Sequence, residues 1–98
     1  MASALDVLIR KAFTDLRQIL TLPTTSSVNS KFIEESIAIL QNPEIDESVI
    51  KCELSNIIRE LEGYTYPAVT GNAEISKKFH NVYYDLNRIF IQRFLTEQ

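Results

Sequence analysis

Cys52 and His80 are the single members of their residue types in this chain. Together they are the one pair from which a thiolate nucleophile and its base can be drawn. A zinc site needs more Cys and His ligands than one of each. Cys52 is therefore read as a small apolar residue and His80 as a surface or boundary residue. Glu34-Glu35 and the acidic stretch Glu44, Asp46, Glu47 offer paired carboxylates. Nothing in the pattern marks a pocket around them, and a solvated helix face and a helix N-terminus account for both. Thr70-Gly71-Asn72 precedes a helix, and helix N-termini attract anions. The stretch has neither a glycine-rich loop nor a lysine in Walker spacing. The expectation is a non-enzyme with no catalytic residues, no metal and no cofactor.

What remains is the chemistry of recognition. Seven of the nine aromatic residues lie between Tyr64 and Phe94, so the last third of the chain has to pack or present them. Lys77, Lys78, Arg88 and Arg93 are interleaved with these rings. Aromatic rings beside cations can stack on bases, and Lys77, Tyr84 and Arg88 are the residues such a reading uses. Against it stand the net charge of -3, an acidic third helix and the lack of a recognition-helix cluster of Arg, Lys, Asn and Gln. Nucleic acid is the weaker partner class.

Composition sets the frame. Ninety-eight residues, 45% of them apolar, make one domain over 1–98 with one modest core. Disorder needs low hydrophobicity with high net charge, which this chain lacks. A lone cysteine forms no internal disulfide. No stretch reaches the roughly 18 apolar residues of a membrane span. The opening Met-Ala-Ser-Ala lacks the basic and apolar regions of a signal peptide. A cytoplasmic or nuclear location without membrane contact is expected.

Four helical segments can position the recognition residues, at about 3–21, 28–41, 44–62 and 73–96. In the first, Ser3 can cap with Asp6 reaching back. Leu5, Leu8, Ile9, Ala12, Leu16, Ile19 and Leu20 fall on one arc of roughly 120°, opposite Arg10, Thr14 and Arg17. Pro23 and the Thr/Ser run after it break the chain. Ser27 or Ser30 can cap the second helix. Its Phe32, Ile33, Ile37, Ile39 and Leu40 spread widely, which calls for contacts on more than one side. The short Asn42-Pro43 link implies an antiparallel pair, with Pro43 at the first helical position or Asp46 as the cap. The third helix carries Ile50, Leu54, Ile57, Ile58 and Leu61 inward and Cys52 outward, and Gly63 is the expected C-terminal cap. Residues 63–72 form a long aromatic loop expected to pack across an end of the fold, with neither Tyr64 nor Tyr66 left free. Asn72 is the expected cap of the last helix. The fold class is all-α, a small antiparallel bundle of four helices.

Charge is uneven along these segments. Residues 44–62 hold Glu44, Asp46, Glu47, Glu53, Glu60 and Glu62 against Lys51 and Arg59. Residues 73–96 hold four cations against Glu74 and Asp85. Adjacent helices of opposite charge with solvated outer faces account for this pattern.

The last helix is apolar on two faces. With Ile75 at zero, Phe79, Val82, Leu86, Ile89 and Phe90 lie within about 60° at the 100° helical step, and Tyr83 and Phe94 sit at the shoulder. Arg93 also falls in this stripe, where its stem can cover apolar surface while its head reaches water. Tyr84, Ile91 and Leu95 lie within about 20° of the opposite pole, with Lys77 and Arg88 beside them. Spacings of seven and four are those of a helix–helix seam. Another helix or the aromatic loop can cover this second face; left open, it binds a partner. The expected function is a non-enzymatic protein–protein interaction module. It self-associates or binds another protein's helix through Tyr84, Arg88, Ile91, Leu95 and Lys77. The alternative is the cap or fragment of a HEAT/ARM-like helical repeat scaffold, although no second copy of a period is present.

Overall fold

The computed structural model describes residues 4–22, 28–42 and 44–95, with side chains from Val7 onward. Ser3, the Leu5 and Asp6 side chains, Pro23 to Ser27 and Pro43, to which the sequence assigns caps, a stripe position and breaks, lie outside the described residues. Every regular element among the described residues is helical. The elements are α1 (Ala4–Leu20), α2 (Ser30–Leu40), α3 (Glu47–Gly63), α4 (Pro67–Thr70) and α5 (Ala73–Phe90), and α5 runs on into a π-helical turn, Ile91–Leu95.

Capping explains most of the boundaries. Asn29, rather than Ser27 or Ser30, caps α2: its side-chain oxygen accepts from the Phe32 N–H at 3.1 Å. Asn is as good a cap as Ser, and the Asn29 N–H is itself held by the Tyr64 hydroxyl at 2.8 Å. Asp46 precedes α3 in an extended conformation. Asn42 instead makes a local turn, accepting from the Glu44 N–H at 3.0 Å. Asn72 caps α5 as expected, accepting from the N–H groups of Glu74 at 2.8 Å and Ile75 at 3.1 Å.

Gly63 is not a left-handed cap. It belongs to the last turn of α3, and the Tyr64 N–H closes the helix onto Leu61 and Glu62 carbonyls. The left-handed glycine is Gly71, at φ 77, which ends α4. That single turn is the element the sequence reads as loop. Pro67 opens it, where a fixed φ suits the first helical position. Buried Thr70 latches it to α5, its hydroxyl 2.6 Å from that of buried Ser76.

The core gathers around α5, which packs against α1, α3 and α4, while α2 packs chiefly on α3 and lightly on α1. Ile75, Phe79, Val82, Leu86 and Ile89 are buried, as the angular reading requires, and Phe90 is half-buried. From α3 come Leu54, Ile57 and Leu61, with Ile58 half-buried against them; from α2, Ile33 and Ile37. α1 contributes Ala12, Leu16, Ile19 and also Phe13, which the single-arc reading omits. Burying one such side chain contributes about 1.5–3 kcal/mol.

Three apolar positions depart from expectation by facing solvent. Leu8 is 37% exposed and Ile39 40%. Tyr66 is 57% exposed, whereas Tyr64 is buried with its ring 5.1 Å from Phe79. The aromatics meet in such pairs rather than in one cluster.

Candidate functional site

With α1, α3 and α4 taking the inner arc of α5, Tyr84 is left 57% exposed, Ile91 40% and Leu95 57%. Lys77 and Arg88 are exposed beside them, as is His80, whose ring lies 6.4 Å from Tyr83. Neither Lys77 nor Arg88 has an ion-pair partner among the described residues. The five residues assigned from the sequence are thus all exposed: Lys77, Tyr84 and Arg88 on α5, and Ile91 and Leu95 in the π turn that follows it.

The apolar surface extends further than the α5 pattern alone implies. Leu8 and Lys11 of α1 line a groove of about 260 Å³ with Asp85, Arg88 and Ile89. Leu8 therefore adjoins the Arg88 side of the face. The signal for it in the sequence is its membership of the α1 stripe, which does not say where the neighbouring helix stops. Lys11 is not a free cation in this groove. It donates to Asp15 at 2.8 Å, and that hydrogen bond raises its pKa above the ordinary lysine value.

The lower part of the face is held by the π turn. Such turns close i→i+5 bonds, so residues 91–95 leave the 100° step used to place them. Arg93 in this turn donates from Nε and Nη2 to the two carboxylate oxygens of Glu47, each at 3.1 Å. Its guanidinium carbon also lies 5.6 Å from the Phe94 ring centre, and Phe94 pairs with Phe90 at 5.3 Å. The inward-reading arginine is thus a clamp from the end of α5 to the first turn of α3, where Glu47 also suits the positive end of the helix dipole.

Two clefts lie elsewhere. One of about 400 Å³ runs between the end of α1 and the start of α5, edged by Asp15, Gln18, Lys78 and Asn81. The other, about 650 Å³, has Ile9, Phe13, Ile50 and Leu54 in its walls, with Arg10 and the Glu47–Arg93 pair at its polar side. Cys52 is exposed. Among the described residues no three His, Cys, Asp or Glu side chains gather as metal ligands, and no helix is long and apolar enough to cross a membrane.

No family model, curated protein or solved structure matches this chain.

Proposed function

We propose that this chain is a non-enzymatic protein–protein interaction module, an adaptor or complex subunit acting in the cytoplasm or nucleus, with its four long helices as an antiparallel bundle. It binds through the outer face of α5. The supporting observation is the exposure of Tyr84, Ile91 and Leu95 beside Lys77 and Arg88, which have no ion-pair partner among the described residues. Scattered exposed apolar residues need no explanation, but a succession along α5 and the turn after it, continued by Leu8 of α1, has the character of an interaction patch.

Ile91→Asp tests the assignment. A carboxylate at a 40% exposed position should change stability by no more than about 0.5 kcal/mol, as surface substitutions do. The same carboxylate buried in an apolar interface lacks a partner and abolishes association. Helix content and melting should match the parent chain, while the solution mass of the complex falls to that of the free chain. If Ile91→Asp unfolds the protein, the residue is core and the site assignment fails.

A further inference from the structure

We infer that the occupant of the α5 face is a second copy of this chain, which docks through the groove between its α2 and α3 in a head-to-tail contact. This rests on the interaction reading above and names its partner.

The α5 face is basic along its middle, with Asp85 at its Leu8 edge. Lys77 and Arg88 flank Tyr84, Ile91 and Leu95, while the carboxylates of the same helix, Glu74 and Asp85, stand about 80–100° away from Tyr84 at the helical step.

A complementary surface exists on α2 and α3. Ile39 and Val49 are each 40% exposed. They sit in the last turn of α2 and the first turn of α3, two helices that pack on each other across a short link. Ile39 lies about 20° from half-buried Phe32 and about 160° from Gln41, and Gln41 is tied to Arg17 of α1 at 3.1 Å. So Ile39 is on the α3 side of α2. Val49 lies about 20° from Glu60. The Glu60 carboxylate accepts from the Tyr64 hydroxyl, which in turn accepts from Asn29 at the start of α2. So Val49 is on the α2 side of α3. By this geometry the two exposed apolar side chains lie on the facing edges of the packed α2–α3 pair.

A carboxylate stands one turn from each, about 40° round its helix: Glu35 before Ile39 and Glu53 after Val49. Apolar residues flanked by cations therefore face apolar residues flanked by carboxylates, at the same one-turn spacing as Tyr84 and Arg88. The surfaces belong to different helices and neither covers the other, so one chain can use both at once.

A symmetric α5-to-α5 contact fits less well. Arg88 lies midway between Tyr84 and Ile91 and would meet its own copy at the two-fold axis. A head-to-tail contact instead repeats, closing into a ring or extending into a filament.

Sedimentation of the full chain over a concentration series tests this. The expected result is growth past the dimer, reduced at high salt because the charges are exposed. Two variants break one surface each: Ile91→Asp on α5, and Ile39→Lys with Val49→Lys on the groove. Each alone should lose every species above the monomer. Mixed in equal amounts they should form a heterodimer and nothing larger, since each supplies the surface the other lacks. Circular dichroism checks their fold, and Glu35→Lys with Glu53→Lys replaces the groove variant if that one loses helix. Three results overturn the inference: a parent chain that stays monomeric throughout, association that survives loss of the groove, or a mixture that does not pair. A monomeric parent chain leaves the interaction reading standing if Ile91→Asp still loses a different protein partner. That reading fails if Ile91→Asp matches the parent chain in every complex.

Discussion

Gly71 holds φ 77 where α4 ends, a left-handed conformation in which a Cβ meets the following carbonyl. Gly63 lies in the helical last turn of α3, has no positive φ, and an added Cβ there would meet nothing within 4 Å. Gly63→Ala should therefore raise stability by about 0.4–1 kcal/mol, through lower unfolded-chain entropy and better helix propensity. Gly71→Ala should lower it by about 1–2 kcal/mol. Urea midpoints of both variants measure this, and a lower midpoint for Gly63→Ala contradicts the assignment. Tyr64 is a second such position. Burial pushes its hydroxyl up to about 12, and donation to Glu60 adds to the rise. The unfolded tyrosine has a pKa of about 10. Between these values the unfolded chain releases a proton that the folded chain keeps, so the contribution is complete below about pH 10 and is lost as pH climbs to about 12. Tyr64→Phe should cost about 1–3 kcal/mol at neutral pH, since it strands the Asn29 N–H and the Glu60 carboxylate. It should also flatten the alkaline loss. Urea titrations of both proteins at neutral and alkaline pH compare the slopes, and equal slopes would show that Tyr64 ionises normally.

At the scale of the element, the 3.6-residue period carries α5 well. Ile75, Phe79, Val82, Leu86 and Ile89 are all buried, and Tyr84 on the opposite pole is exposed, because one helix with one packed side obeys its own geometry. The period fails where a neighbour decides. Leu8 belongs to the α1 stripe yet lies open, and Phe13 is buried although outside it. Which part of a stripe is covered depends on where the next helix ends. The π turn is equally illegible, since Ile91 to Leu95 fits an α-helix as well as a π turn. Its one trace in the sequence is Arg93 on an apolar stripe, and the partner of that arginine, Glu47, is 46 residues away. Arg93→Met keeps the stem and removes the clamp. The Glu47 side chain is 64% exposed, so the loss in total stability should stay within about 1 kcal/mol. The local effect should be larger: amides 91–95 should lose protection in hydrogen exchange while those of Phe79 to Leu86 keep theirs. Unchanged protection at 91–95 would mean that Phe90 and Phe94, not the ion pair, hold the turn.

Over the whole molecule, α5 is the hub. It touches α1, α3 and α4, whereas α2 rests chiefly on α3 and is pinned at its start by the Tyr64 hydroxyl. The radius of gyration, 13.4 Å, is close to the roughly 13 Å of a folded chain this long, so one core serves all these contacts. Stability is not uniform in such an arrangement, because an element with fewer buried partners can open while the rest stays packed. α2 buries Ile33 and Ile37 but leaves Ile39 in solvent, and α5 buries five apolar side chains. Native-state hydrogen exchange should therefore rank them. Amides of Phe79 to Ile89 should open only with global unfolding, and amides of α2 at a lower free energy. Tyr64→Phe should widen that gap, because the lost bond to Asn29 weakens α2 before it weakens α5. Phe79→Ala acts differently. It removes a fully buried ring that contacts Tyr64, at a cost of about 3–5 kcal/mol against a total of about 5–15 kcal/mol, so every element should lose protection together. If α2 exchanges as slowly as α5 in the parent chain, the two form one cooperative unit.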